Sequence, residues 1–99
     1  MTKFVWMKRT FEAGGYHRVQ EQFAKDARRL GDPKEMLMLL VDVRPLVQTI
    51  YMCLPETLAS TYPGFELISS DAELPKEVNL LFGDQYEFLK RFKFPTRRL

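Results

Sequence analysis

The sequence EMLMLLVDVRPLVQTIYMCL, residues 35–54, is the longest apolar stretch of the chain, and it decides the fold. A membrane-spanning helix needs about 20 residues with few charges. Here Asp42, Arg44 and Pro45 lie near the centre of the stretch. Because two ions and a helix breaker are costly to bury in hydrocarbon, we predict that the stretch forms the core of a soluble protein and does not cross a membrane.

Two strands are the favoured secondary structure of this stretch. Residues 36–43 (MLMLLVDV) are apolar without the stripe of an amphipathic helix. Residues 46–53 (LVQTIYMC) are rich in β-branched and aromatic side chains, which suit a pleated surface. The sequence therefore predicts a hairpin that turns at Arg44 and Pro45.

A helix over residues 33–43 is the alternative. Asp32 is a good N-cap residue, Pro33 suits the first helical position, and Glu35 places an acid in the first turn. The sequence alone leaves this alternative open.

The first predicted strand is apolar on both faces, since side chains alternate across a strand. One face carries Leu37, Leu39, Val41 and Val43, and the other carries Met36, Met38, Leu40 and Asp42. A sheet with one solvated face should instead alternate apolar and polar residues. We therefore expect another element of the chain, a partner subunit or a ligand to cover the second face.

The remaining patterns predict the order strand, helix, strand, strand, helix, strand. We predict strands over residues 3–11 and 65–69, an amphipathic helix over residues 16–30, and a short helix from Pro55 to about Thr61. This order is that of the ferredoxin-like βαββαβ fold, in which both helices cover one face of an antiparallel sheet. The predicted fold class is therefore α+β.

A short C-terminal extension follows this core. Residues 70–77 read as a polar linker and residues 78–82 as a fifth short strand. After them, a capping box beginning at Asp84 favours a helix, with a hairpin that turns at residues 83–84 as the alternative. We expect this extension to cover part of the apolar sheet, within a single domain of residues 1–95 and a frayed tail of residues 96–99.

Composition excludes several classes of function. The net charge of +2 is too small by itself to imply a polyanionic partner. The single cysteine, Cys53, cannot form an internal disulfide, and the N-terminal residues lack the apolar core of a secretion signal, so we expect a cytoplasmic protein. One Cys and one His cannot make a structural zinc site, and no phosphate-binding loop or esterase motif is present. We therefore expect neither a metal nor a cofactor.

Four residues are weak candidates for catalysis. His17 could act as a general base near neutral pH, although a solvated side chain in the first turn of a helix is the simpler interpretation. Asp42 and Arg44 could form an acid–base pair or bind a polar ligand, or they could only stabilise the turn. The hydroxyl of Tyr51 could line a pocket beside Trp6, or the ring could simply pack in the core.

The leading hypothesis is a small binding or regulatory module, a homodimer or the partner of another protein, that buries an apolar sheet face. The absence of a strong catalytic motif and the doubly apolar strand motivate it, since methionine-rich surfaces adapt well to partners. The candidate binding residues are Trp6, Met36, Met38, Leu40 and Tyr51.

Two further hypotheses belong to other classes. Two sheets packed face to face could enclose an apolar cavity, which would suit a small-molecule enzyme of the dimeric α+β-barrel type with an apolar ligand. The C-terminal end mixes phenylalanines with cations, a pattern that suits single-stranded nucleic acid, although the basic-Gly-aromatic run of sheet-type RNA-binding domains is missing. The cations are Lys90, Arg91, Lys93, Arg97 and Arg98.

Overall fold

Four strands form one antiparallel sheet. They are β1 (Phe4–Glu12), β2 (Leu37–Arg44), β3 (Val47–Pro55) and β4 (Glu66–Ser69), and their order across the sheet is β2-β3-β1-β4. The structure is a computed structural model that describes residues 3–70 and 73–82. Each pair of neighbouring strands runs antiparallel, and β2 and β4 are the edges among the described strands.

Three helical segments accompany the sheet. They are α1 (His17–Arg29), a 3-10 helix (Glu56–Thr61) and α2 (Lys76–Phe82). The fold is therefore α+β. The four strands and two helices predicted over residues 3–69 are confirmed, with bounds that agree within about two residues.

The alternative of a helix over residues 33–43 is wrong, because β2 begins at Leu37 and pairs with β3 along its length. The predicted strand over residues 78–82 is also wrong, since these residues belong to α2. A strand would place Val78 and Leu80 on one face, but Val78 is fully buried whereas Leu80 is 79% exposed. A run of five residues is too short to distinguish the helical period of about 3.6 residues from the strand period of about two.

The predictions for residues 84–95 and for the tail, residues 96–99, lie outside the described part of the chain, and the single-domain boundary stays a prediction.

One core lies on the face of the sheet covered by α1 and the 3-10 helix. Alternate residues of β1 and β3 supply most of it, and α1 contributes Phe23 from its apolar stripe. Met36 also belongs to this core, with Met38 packed against it. The other buried members are Val5, Met7, Phe11, Ile50, Met52, Leu54 and Tyr62.

A second core lies on the opposite face. Trp6, Tyr51 and Cys53 point to this side from β1 and β3, and Leu74 and Val78 cover them. The second face is therefore covered, over this region, by another element of the same chain. A covering element of the same chain, a partner subunit and a ligand were the three alternatives, and the structure shows the first of them over this region.

The turn between β2 and β3 holds an unusual residue. Leu46 adopts a positive φ of 63° directly after Pro45, and its side chain is 72% exposed. Glycine normally occupies such a position, because a left-handed conformation costs an L-residue about 1–2 kcal/mol. The hairpin thus presents a large apolar side chain to solvent from a strained backbone.

Candidate functional site

The outer edge of β2 is the most distinctive surface in the described part of the chain. β2 pairs with β3 without interruption from Leu37, opposite Cys53, to Asp42, opposite Gln48. No described strand pairs with its other edge. Proteins usually protect such an edge with a lysine, a proline, an early bulge or a short strand, because unpaired N–H and C=O groups attract other strands. None of these protects β2 between residues 37 and 42.

The opposite edge of the sheet is protected. β4 has four residues, and its pairing with β1 shifts register between Trp6 and Met7. It also begins with Glu66, whose carboxylate lies 4.0 Å from the ammonium of Lys8. A short, irregular and charged edge discourages the addition of a further strand. The two edges therefore differ, and only β2 is suited to pairing.

Apolar side chains are exposed along β2 and its turn. Leu40 is 38% exposed and Val43, at the bulge that ends the regular pairing, is 60% exposed. Leu46 continues this exposure into the turn. On the other face, Leu39 and Val41 are half-buried at the margin of the second core. A further strand paired with the outer edge of β2 would therefore bury apolar side chains of β2 on both faces of the sheet.

A polar cluster anchors α2 on the second face of the sheet. The Lys8 ammonium donates a hydrogen bond to Oε2 of Glu77 over 3.1 Å, and the Tyr51 hydroxyl donates to the same oxygen over 2.9 Å. Lys8 and Tyr51 are directly opposite each other on β1 and β3. Because Glu77 lies in the first turn of α2, these two contacts fix the start of the helix over the sheet.

The environment of Tyr51 changes its acidity. Burial, followed by the hydrogen bond to Glu77 and the negative charge of that carboxylate, raises the pKa of Tyr51 to about 12. Tyr51 is therefore a neutral hydrogen-bond donor at physiological pH. This protonation state suits a structural contact and does not suit a general base.

His17 and Tyr51 lie in separate environments. His17 is the first residue of α1, is exposed, and its ring lies 4.3 Å from the ring of Tyr16 between centroids. Tyr51 lies in the middle of the second face and contacts Glu77. The structure does not bring these two candidates together.

Asp42 and Arg44 also have different neighbours. Asp42 accepts a hydrogen bond from Nε2 of Gln48 over 3.3 Å, whereas Nη2 of Arg44 lies 3.9 Å from a carboxylate oxygen of Glu12. Both side chains are exposed near the hairpin turn. Their contacts are those expected of residues that stabilise a turn.

The predicted binding residues are divided between the two faces. Trp6 and Tyr51 belong to the second core. Met36 is buried beneath the helical layer, with Met38 packed against the same core. Leu40 lies on the same side of β2 but is partly exposed. Of the five, Leu40 is therefore the residue that a partner reaches most easily.

Sequence reasoning missed Lys8 and Glu77. Lys8 alternates with Trp6 on an apolar face, and this inward-facing cation was a signal for a buried acidic partner. Glu77 falls in the predicted linker, residues 70–77, whereas in the structure it lies in the first turn of α2. The predicted nucleic-acid residues, Lys90 to Arg98, lie outside the described part of the chain.

Within residues 3–70 and 73–82, no group of three or more His, Cys, Asp or Glu side chains could hold a metal ion. No helix among the described residues has the length and hydropathy required to cross a membrane.

Comparisons with known proteins give no further guidance. No protein-family model, curated protein or solved structure matches the chain.

Proposed function

We propose that this protein is a small binding module that associates with a second copy of itself through β2. The single observation that supports the proposal is the nature of that edge, which is regular, unprotected and apolar on both faces. Pairing would give hydrogen-bond partners to the N–H and C=O groups on the outer edge of β2. Each hydrogen bond would contribute about 0.5–1.5 kcal/mol. Pairing would also remove exposed apolar surface from water.

A second copy of β2 is a suitable partner for β2. In an antiparallel pair related by a two-fold axis perpendicular to the sheet, directly opposite residues share a face. With Leu40 opposite its own copy, Leu39 would lie opposite Val41. Apolar side chains would then meet on both faces, and the two sheets would form one continuous sheet.

The strained turn supports an interaction role for this end of the molecule. A left-handed non-glycine residue tends to occur at functional positions, where another requirement outweighs the backbone energy. The backbone of Leu46 is used within one copy, since its carbonyl accepts a hydrogen bond of 2.8 Å from the N–H of Ala13, but its exposed side chain gains little burial there. We infer that Leu46 contributes to the contact with the partner.

Cross-linking tests the proposed pairing directly. Directly opposite residues of antiparallel strands have Cβ atoms about 4.5–5.5 Å apart. Leu40→Cys should therefore give a covalent dimer with mild oxidant or a short bismaleimide reagent, whereas the native Cys53 is buried and should not react.

Leu67→Cys is the matched control, because Leu67 is 62% exposed but lies on the protected edge strand β4. It should give little dimer at the same concentration. Light scattering should also show that Leu40→Lys is a folded monomer. Equal cross-linking of both cysteine variants, or a dimer that persists in the lysine variant, would refute pairing through β2.

We propose further that the core is of the ferredoxin-like, split βαβ type, with its second helix reduced to the 3-10 helix. The strand order β2-β3-β1-β4 with antiparallel neighbours supports this assignment, as does the packing of α1 and the 3-10 helix against one face. An experimental structure in which the β1-α1-β2 crossover is left-handed would contradict it.

We propose a cytoplasmic location for the protein. The support is the single buried cysteine and the absence of any disulfide among the described residues. Recovery of a tagged copy in the membrane or secreted fraction of the source cells would refute it.

The enzyme and nucleic-acid hypotheses gain no support from a specific observation. The enzyme hypothesis places its cavity against the face that carries Met36, Met38 and Leu40, and in the structure Met36 and Met38 pack into the first core.

A further inference from the structure

A groove of about 270 Å³ opens beside the first core, between the end of α1 and the 3-10 helix. Phe4, Leu30 and Leu58 line it together with two prolines, and none of its lining residues belongs to β2. Leu30 is exposed, and Phe4 and Leu58 are half-buried. The walls of the groove are therefore apolar and accessible, and the groove is separate from the surface proposed for self-association.

Among the described residues, Arg29 is the only charged side chain that lines this groove. Its Nη2 lies 3.4 Å from Oδ1 of Asp26, which is long for a charge-assisted hydrogen bond, normally about 2.7–2.9 Å. The other oxygen of Asp26 accepts a shorter hydrogen bond, of 2.7 Å, from the hydroxyl of Tyr62. Asp26 is thus held mainly by Tyr62, and the guanidinium of Arg29 keeps donors that a second carboxylate can use.

We propose that this groove binds a small monocarboxylate with an aromatic or branched aliphatic body. The apolar walls take the body of the ligand, and Arg29 binds its carboxylate through two parallel N–H donors. Thr57 also lines the groove. The volume is slightly below the usual range for drug-sized ligands, about 300–1,000 Å³, so the ligand is of fragment size.

Phenylacetate and its neutral analogue phenylacetamide are matched probes for this site. Amide chemical-shift titrations of the full chain should show shifts around the groove for both compounds. Phenylacetate should bind about tenfold more tightly, because only the acid gains the charge-assisted contact with Arg29. Equal affinities, shifts that map to β2 instead, or no shifts at millimolar concentration would overturn the proposal.

Two arginine variants separate a specific contact from general attraction between charges. Arg29→Gln should lower the affinity for phenylacetate about tenfold and leave phenylacetamide unchanged. Arg28→Gln should leave both affinities unchanged, since Arg28 is exposed on the same helix but does not line the groove. Equal losses in the two variants would indicate nonspecific charge attraction and would overturn the proposal.

A carboxylate beside an apolar group occurs both in a free organic acid and in the C-terminal residue of a peptide. N-acetylphenylalanine carries the carboxylate, the ring and a peptide group. Tighter binding of this compound than of phenylacetate would support a peptide C-terminus as the ligand, and weaker binding would support a free acid.

Discussion

Tyr51 places a phenol hydroxyl against a carboxylate at the margin of an apolar cluster. The ring packs with Trp6 and Cys53, while the hydroxyl donates to Glu77. The carboxylate also accepts from Lys8, so one oxygen of Glu77 joins three elements of the chain. At the residue scale, this contact links the sheet to α2.

The titration of Tyr51 tests this contact. Its pKa is raised from an ordinary value of 10.0 to about 12 in the folded state. The neutral phenol is therefore favoured by folding, and the stability that it contributes is complete below the unfolded pKa, about 10, and is lost as the pH rises towards 12. Tyrosinate absorbance should show a late step that Tyr51→Phe removes.

Tyr62→Phe is the comparison for this titration. The pKa of Tyr62 is also raised, mainly by burial and then by its hydrogen bond to Asp26, so this variant should remove a different late step. If Tyr51→Phe instead removes absorbance that develops near the ordinary pKa of 10.0, the contact with Glu77 does not exist in solution.

At the scale of elements, α2 has a buried side and an exposed side within seven residues. Val78 is fully buried over Trp6, while Leu80 points to solvent. Trp6 is the only tryptophan of the chain and is itself fully buried. Its fluorescence therefore reports whether α2 covers the sheet.

A pair of aspartate substitutions tests the orientation of α2. Val78→Asp places an unpaired charge in the second core and should destabilise the packed helix by about 3 kcal/mol or more. Trp6 emission should move to longer wavelength and become accessible to acrylamide. Leu80→Asp, a matched change on the exposed side, should alter stability by about 0.5 kcal/mol or less.

The first core provides the control for this experiment. It is built from other side chains beneath α1, so circular dichroism of Val78→Asp should retain the signal of the sheet and α1. Similar fluorescence changes in both aspartate variants would mean that α2 does not pack as described.

At the scale of the whole molecule, self-association predicts that stability depends on protein concentration. A dimer that dissociates on unfolding becomes more stable by up to about 1.4 kcal/mol for each tenfold increase in concentration. The Tm of the wild-type protein should therefore rise with concentration, whereas that of Leu40→Lys should not. Leu67→Lys, on the protected edge, should behave as the wild type does. A Tm that is independent of concentration in all three proteins would refute a stable dimer.

Much of the sheet could be predicted because its signals are local. The alternation in β1 and the stripe of α1 each lie within a few consecutive residues, and both elements were located from them. The doubly apolar run of β2 also showed correctly that its strand is covered on more than one side. The prediction of a strand over residues 78–82 was wrong because a short apolar run fits a helix and a strand equally well.

The candidate site was less predictable, since its contacts join distant parts of the chain. Lys8 and Glu77 are 69 residues apart, and no local pattern relates them. Likewise, the sequence could not show that Met36 would face α1 while Leu40 would remain exposed. The period of a strand determines which residues share a face. The segment that covers each face depends on tertiary packing.

The sequence by itself determined the elements of residues 3–69 and the α+β class, because hydrophobic periods and turn residues act within short segments of the chain. Only the tertiary structure decided which strand lies at an unprotected edge, which helix covers the second face, and where Arg29 meets an apolar groove. Such choices depend on contacts between segments far apart in the chain, where the burial of many side chains together outweighs any local preference.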